Sequence, residues 1–484
     1  MVAETAKVNA IGVGSMSKKI IGLISIAIAI VVLAVVLYVL SLPDDQTDDV
    51  TNPPSEIHYI LGGENRAPVS EIRVSNESGG FTLIADRSSG NVVYRLAGYE
   101  EFPVSAAVTG IARNSGLLVA KSIVATPGSD LTAFGLSDPA AVAEIMLEDG
   151  TEVMLMVGDA APGGGGRYVS DGSGTVYLAN SGDAEQFLYG SLDLLSKRIV
   201  PGISGGMSFQ TATLSGTVRP EEIVITGNTR EGTASVSTHR IVSPAVADID
   251  QTSGFSVIMS VFGLTAQRVA GTYAELEKFG LEAPYSTLEI TPDTETGLPA
   301  FTLNAAAADN DGMVYLSSSL TGLIYQVHAD SVMWLESTVF SLISKFAVLP
   351  LIDMVSRVII ELPEERYIFD LNINDEGELV VTSGEMKIDT AYFKNFYHTL
   401  VCASFDEQAD EPLPANPVLL LSITYEYRDP AAPPDVVSFF DGPVRRAFIV
   451  LNNNPPFLTT TTYVNKVLTD LVRLLSGESV SPLR

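Results

Sequence analysis

The chain holds one cysteine, Cys402, and one tryptophan, Trp334, among 484 residues. A single cysteine excludes an intrachain disulfide, so folding does not rest on oxidative cross-links. Histidine is scarce as well. His58, His239, His328 and His398 are the four, none placed relative to another as metal ligands are, and no H-E-x-x-H occurs. Positive charge is short too: 28 Lys and Arg stand against 58 Asp and Glu, a net charge of −30. That excludes sequence-independent nucleic-acid binding, which needs clustered basic side chains. It favours solubility and either cationic partners or loosely held divalent ions. No nucleic-acid partner, cofactor or metal is expected.

Catalytic motifs are equally thin. "GISGG" at 202–206 fits G-x-S-x-G around Ser204, but "MSFQTATLSG" follows it and reads as strand and turn, where a nucleophile elbow needs a helix. "PGGGGRY" at 162–168 lacks the Lys-Ser/Thr of a phosphate loop and opens no helix, so a hairpin turn is expected. "DLNINDEG" at 370–377 places Asp370, Asn372 and Asn374 like the first calcium ligands. Asp375 then replaces the required glycine, and Val381 stands where the bidentate glutamate belongs. A polar turn is the better reading there, with weak calcium binding near Asp370 as the alternative. No catalytic residue is assigned.

What the sequence does have is one long apolar run, beginning at Ile20 and ending at Leu42, with no charge in it. As a helix, 23 residues reach about 34 Å, enough for a hydrocarbon core of about 30 Å. Lys18 and Lys19 precede it; Asp44, Asp45, Asp48 and Asp49 follow. The basic flank stays cytoplasmic, which places the bulk of the chain outside. A cleaved signal peptide would have a shorter apolar region and a small-residue cleavage site, which "LYVLSLPDD" does not supply. The expectation is a cytoplasmic tail at 1–19, a transmembrane signal anchor at 20–42 and an acidic, proline-bearing tether at 43–68. Beyond residue 42 the chain carries 25 basic and 57 acidic side chains, so an anionic surface repels it.

The remaining residues repeat. "FGLSDP" begins at Phe134 and "FGLEAP" at Phe279, 145 residues on. Each follows a helix-like segment and precedes an alternating strand. In the first unit, "SEIRVSN", "FTLIAD" and "NVVYRL" read as strands. A helix is expected over 104–119. "VAEIMLE" and "EVMLMVG" then form a hairpin turned by Asp149-Gly150, and two further strands carry Tyr168 and Tyr177. A helix is expected from about Asp183, with Phe187, Leu188, Leu192 and Leu195 at helical spacing. The second unit follows the same order, with "SVIMSVFGLTAQRVA" as helix, "MVYLSS" matched to "TVYLAN" through Tyr315 and Tyr177, and a closing helix from Asp330. On that match the second copy is shorter by about a strand. A third, divergent unit opens at "SRVIIEL", lacks the FGL phrase, and carries a helix capped by Asp389 or Thr390 with Phe393, Phe396, Tyr397, Leu400 and Val401 on one stripe.

The expected class is therefore α+β: an N-terminal transmembrane helix followed by three related units of antiparallel sheet with packed helices, at 69–202, 203–352 and 353–484. The structural motif comprises Phe134, Gly135, Leu136, Pro139, Gly158, Asp159, Tyr168 and Tyr177 in the first unit. Phe279, Gly280, Leu281, Pro284 and Tyr315 are its counterparts in the second. Phe134 and Leu136 are expected to plug the helix–sheet core, Gly135 to permit a tight path, and Pro139 to fix an extended entry to the strand.

"FGLSDP", "VGDAAPGGGGRYV", "TVYLAN" and "LLSKRIV" together resemble the bacterial family called domain of unknown function 4340. The resemblance is specific over about residues 70–200, weaker over 220–350 and faint over 356–475. It implies a single-span extracytoplasmic protein whose relatives are encoded beside ABC-transporter permeases and gliding-motility-type transport components. The family has no assigned chemistry, so no catalytic residue carries over. Three roles follow as expectations: a non-enzymatic accessory to a transporter or envelope assembly, a glycan- or peptide-binding module, or, third, an envelope hydrolase.

Overall fold

The computed structural model describes residues 57–63, 66–88, 90–229 and 237–481. The tail at 1–19, the anchor at 20–42 and most of the tether lie outside the described residues. Among those described, no helix is long and apolar enough to cross a membrane. The body is mainly β. It contains four antiparallel sheets, of two, eight, nine and nine strands, and this overturns the expected α+β class.

The class changes because the expected helices are short. The stretch after residue 180 forms one turn at Ser181–Ala184 and two 3-10 turns, Glu185–Leu188 and Ser191–Leu194. The helix expected from Asp330 reduces to a 3-10 turn, Ala329–Ser331, and one α-turn, Val339–Leu342. Gly182 and Gly190 interrupt the first stretch, and glycine in a helix interior costs about 1 kcal/mol relative to alanine. Apolar residues at helical spacing reach the core equally well from successive tight turns: Phe187, Leu194 and Leu195 are fully buried.

Each large sheet has the same order. In the first, Val69–Asn76 and Ala141–Leu147 form the central pair, with Ile72 opposite Ile145. One wing adds Phe81–Asp86 and Val93–Leu96. The other adds Glu152–Ala160, Arg167–Ser170, Val176–Ala179 and finally Ser122–Ala125. The central pairs of the other two sheets are Phe209–Ser215 with Ser286–Pro292 and Val355–Glu361 with Leu419–Tyr427. Strand alternation explains the faces: Ala141, Ala143, Ile145 and Leu147 are buried, while Glu144 and Met146 are exposed. On the open face Arg73 pairs with Glu71 and Glu144, and Arg357 pairs with Asp370 and Glu426 at the matching place of the third sheet.

A helix crosses the buried face of each sheet: Ala106–Gly116, Ser253–Met259 and Thr390–Val401. The third is capped by Asp389, whose carboxylate accepts from the Tyr392 N–H at 3.0 Å. Phe393, Phe396, Tyr397 and Leu400 are buried beneath it, and Val401 is half-buried. The final helix, Thr461–Leu475, packs against it; the Tyr463 hydroxyl donates to the Leu400 carbonyl at 2.8 Å.

The segments that lead into each unit are bridged antiparallel to that unit, the first as a short strand and the other two as single bridges. The Ala120 N–H donates to the His58 carbonyl at 2.8 Å, Ala266 to Lys197 at 2.7 Å, and Phe405 to Lys345 at 2.6 Å. The next residue in each case, Lys121, Gln267 or Asp406, donates to Leu178, Gln326 or Leu458 of its own sheet. One short segment thus stitches an incoming strand to the sheet edge three times over. "SKRIV" and "SKFAV", placed at the ends of the first and second units in the sequence reading, open the second and third units instead. Tyr59–Leu61, read as tether, pairs with Leu118–Val119 in the same way.

This register also corrects the match of Tyr177 to Tyr315. Leu178 and Gln326 occupy equivalent positions, so Tyr168, opposite Leu178, is the counterpart of Tyr315, opposite Gln326. Their spacing of 147 residues agrees with the 145 between Phe134 and Phe279. The second copy has lost no strand. Phe448, opposite Leu458, fills the place in the third sheet.

Candidate functional site

The FGL phrase builds a lid over the sheet. Leu131–Phe134 and Glu277–Phe279 are 3-10 turns, ended by Gly135 at φ +69° and Gly280 at φ +68°. Those left-handed angles are the reason for glycine. Leu136 and Leu281 turn inward and are buried. Phe134 and Phe279 are half-buried, so the expectation that Phe134 plugs the core is corrected. Phe134 lies edge-on to Tyr168 at 5.0 Å, and Phe279 rests on Tyr315 at 4.8 Å. In the first unit the lid also sits against Gly158-Asp159. A Cβ at Gly158 would stand 2.2 Å from the Phe134 carbonyl oxygen, and one at Gly135 would stand 2.5 Å from the Asp159 carboxyl carbon. Gly280 meets no such neighbour. Pro139 and Pro284 are half-buried at the entry to their strands. Tyr177 packs partly buried against the core. The phrase builds structure and gathers no reactive groups.

The Ser204 loop lines a cavity of 540 Å³ with His239, Phe255, Met259 and Phe262. His239 does not serve Ser204 as a base. It is buried, with Nε2 2.7 Å from the Phe209 carbonyl and Nδ1 2.9 Å from the Thr238 hydroxyl, and it stacks on Phe209 at 4.2 Å. The strand Phe209–Ser215 follows the loop, as expected. The Pro162–Gly164 turn joins two strands of the first sheet, with Gly163 and Gly164 at positive φ. Asp370 is paired with Arg357 at 2.7 Å, and the Asn374 side chain accepts from the N–H groups of Glu376 and Glu378. The calcium-like stretch is thereby spent on a hairpin. Among the described residues no group of three or more His, Cys, Asp or Glu side chains converges as a metal site would. His398 lies 3.9 Å from the Cys402 sulfur, and burial pushes that thiol up.

The better-formed site is a cleft of 410 Å³ between turns of the second and third sheets. The second sheet supplies the turn at 218–221, the turn at 244–245 and the approach to Val339–Leu342. The third supplies residues 408–412 and 455–457. Val218, Ile223, Ala245, Val339 and Phe457 make it apolar. Five prolines stiffen its walls: Pro220, Pro244, Pro412, Pro455 and Pro456. Glu221, Glu336, Asp410 and Glu411 are exposed on its rim.

Arg219 is the one basic residue in the lining, and its donors face inward. Nε donates to the Ser337 carbonyl at 3.0 Å. Nη1 reaches the Ser215 carbonyl and the Ser286 hydroxyl, and Nη2 reaches the carbonyls of Trp334 and Leu335 at 2.6 and 3.1 Å. Burial pushes its pKa down, though a guanidinium stays charged. Its work is to tie the 334–337 segment to the sheet, and among the described residues no cation pairs with the rim carboxylates. Beside the cleft the second seam is closed by Asn454. Its amide donates to the Val246 carbonyl at 2.8 Å and its oxygen accepts from the Val246 N–H at 2.9 Å.

Sequence reading missed this cleft because its walls come from five separate turns. One signal was present: the third unit lacks FGL, and "ADEPLPANP" stands where the phrase would be. That loop, released from capping a tyrosine, reaches the second unit. No curated protein and no solved structure matches the chain. Residues 95–284, from the edge of the first sheet through the second FGL phrase, match the family model described as Domain of unknown function (DUF4340), the family that the sequence resembles.

Proposed function

We propose that this chain is a non-enzymatic interaction component of an envelope or ABC-transporter-type assembly, held at the outer face of the cell membrane by residues 20–42. The observation that carries the reading is the backbone bridging at both seams, which joins three copies of one sheet into a continuous body with a core running through all three. Repetition of one module builds an extended surface on which partners dock. The charge-free run at 20–42 and its lysine flank support the anchor. The family resemblance supports the assembly.

A second reading, a ligand-binding module, is favoured by the 410 Å³ cleft, which lies in the roughly 300–1,000 Å³ range of ligand sites. The engagement of both His239 ring nitrogens speaks against the envelope hydrolase.

The test is co-purification of the tagged full chain from membranes in mild detergent. The expected result is a membrane fraction that resists alkaline extraction and brings a permease or other envelope component with it. A chain released by alkali, or one that brings no such component, counts against the proposal.

A further inference from the structure

We infer that the cleft at the second seam receives an extended, cationic and aliphatic segment of a partner protein. The inference rests on the interaction reading above and names where and what it binds. Three observations carry it. First, the lining is apolar and fixed. Prolines on both sides hold the two walls, and the Asn454–Val246 pair closes the seam beside them. Little ordering cost is left to be met on binding, which is the benefit of preorganisation.

Second, the rim is uncompensated. Among the described residues, Glu221, Glu336, Asp410 and Glu411 make no ion pair, and Arg219 spends its donors on backbone carbonyls and one hydroxyl. Glu336 accepts only a tyrosine hydroxyl, that of Tyr285 at 3.1 Å. Four carboxylates around an apolar slot are complementary to lysine or arginine flanking aliphatic residues, and they repel acidic segments.

Third, the wall facing the second unit is a replaced element. In the first and second units the loop before the central strand caps a tyrosine with its phenylalanine. In the third, that loop carries Asp410, Glu411 and Pro412 into the cleft. The sugar alternative fits less well, because sugars stack on aromatic faces and Phe457 is the single aromatic in the lining, itself buried.

The experiment titrates the full chain in mild detergent with a fluorescein-labelled peptide of alternating lysine and leucine around a central proline. Its counterpart has glutamate for lysine. The expected result is saturable binding of the first peptide alone. The double variant D410K/E411K, both on an exposed loop, should weaken it on the order of tenfold or more, while E364K/E376K, the same charge change elsewhere, should change it less than about twofold. Equal losses in the two variants, or binding of the glutamate peptide, overturn the inference. A photo-reactive version of the lysine peptide on the unaltered chain should label residues 218–221, 336–339 or 408–412; labelling elsewhere overturns it without reliance on any variant. Displacement of the peptide by an oligosaccharide overturns it in favour of a glycan. If D410K/E411K retains the co-purifying envelope components, the cleft is not the docking site and the interaction reading stands. If the parent chain brings none, that reading falls while the peptide titration still reports on the cleft.

Discussion

Asn454 and Val246 form a reciprocal pair across the second seam: the asparagine amide donates to the valine carbonyl and its oxygen accepts the valine N–H. One side chain thereby completes a backbone edge in the neighbouring unit. Asn454→Ala leaves both backbone groups to water. The expected cost is about 1 kcal/mol, since the pair is exposed. Hydrogen exchange at the Val246 amide should rise well before exchange in the central strands, and unchanged protection there would refute the assignment.

Gly158 lies directly beneath the first FGL lid. A methyl group there meets the Phe134 carbonyl oxygen, which must move. Gly158→Ala is expected to destabilise by about 1–3 kcal/mol, the usual range for overpacking. Gly280→Ala meets no neighbour but keeps the left-handed strain, at about 1 kcal/mol. Denaturant unfolding of the two variants should rank them in that order.

Arg219 holds the carbonyls of Trp334, Leu335 and Ser337 with separate N–H groups. Arg219→Met removes every donor at once and is expected to cost on the order of 3 kcal/mol. Arg219→Lys keeps the charge with fewer, differently aimed donors and should lie between. If the lysine variant melts like the parent, charge and not the fork of donors is what matters.

Tyr325 sets an alkaline limit. Burial pushes its hydroxyl up to about 12, with Thr321 as its hydrogen-bond partner at 2.9 Å. An unfolded tyrosine titrates near 10. A raised folded value favours the fold fully below pH 10, and that contribution disappears as pH climbs through 12. Tyr397, Tyr425 and Tyr463 move the same way, each by burial first. Stability should hold to about pH 10 and decline above it, with tyrosinate absorbance appearing together with loss of structure. Tyr325→Phe should lessen the decline. Tyrosinate that forms in a chain still folded would exclude the mechanism.

Asp86 acts at the other end of the scale. The Ser88 N–H, the Ser88 side chain and Arg95 hold its carboxyl down to about 2. Its contribution is present above the ordinary carboxylate value of about 3.9 and is lost as pH falls through 2. Asp86→Asn should therefore lower stability across the neutral region and flatten the acid limb, the two profiles converging as pH falls to 2. A parallel shift of the whole curve would place the effect elsewhere.

The sequence made the strands legible where alternation was strict, as in Ala141–Leu147, and made the helix at Asp389 legible through its cap. It misled where two elements share one pattern. Phe187, Leu188, Leu192 and Leu195 satisfy helical spacing, yet tight turns on a sheet bury several of them as well. "VYL" misled because a tyrosine occurs on each of two adjacent strands, and only strand pairing shows that Tyr168 matches Tyr315. The seams were hidden because His58, Lys197 and Lys345 pair with residues far along the chain through segments of only a few residues. The cleft was hidden for the same reason: its charge and its walls become neighbours only after the third unit docks on the second.

The incoming strands bear on how the molecule takes a pull. Traction on the chain at His58, or between units at Lys197 and Lys345, enters through short segments bridged antiparallel to 118–120, 264–266 and 403–405. Each segment is held there by a few backbone hydrogen bonds, which must break before the edge of the unit is freed. The joints between units are therefore fastened by the same bonds that complete each fold.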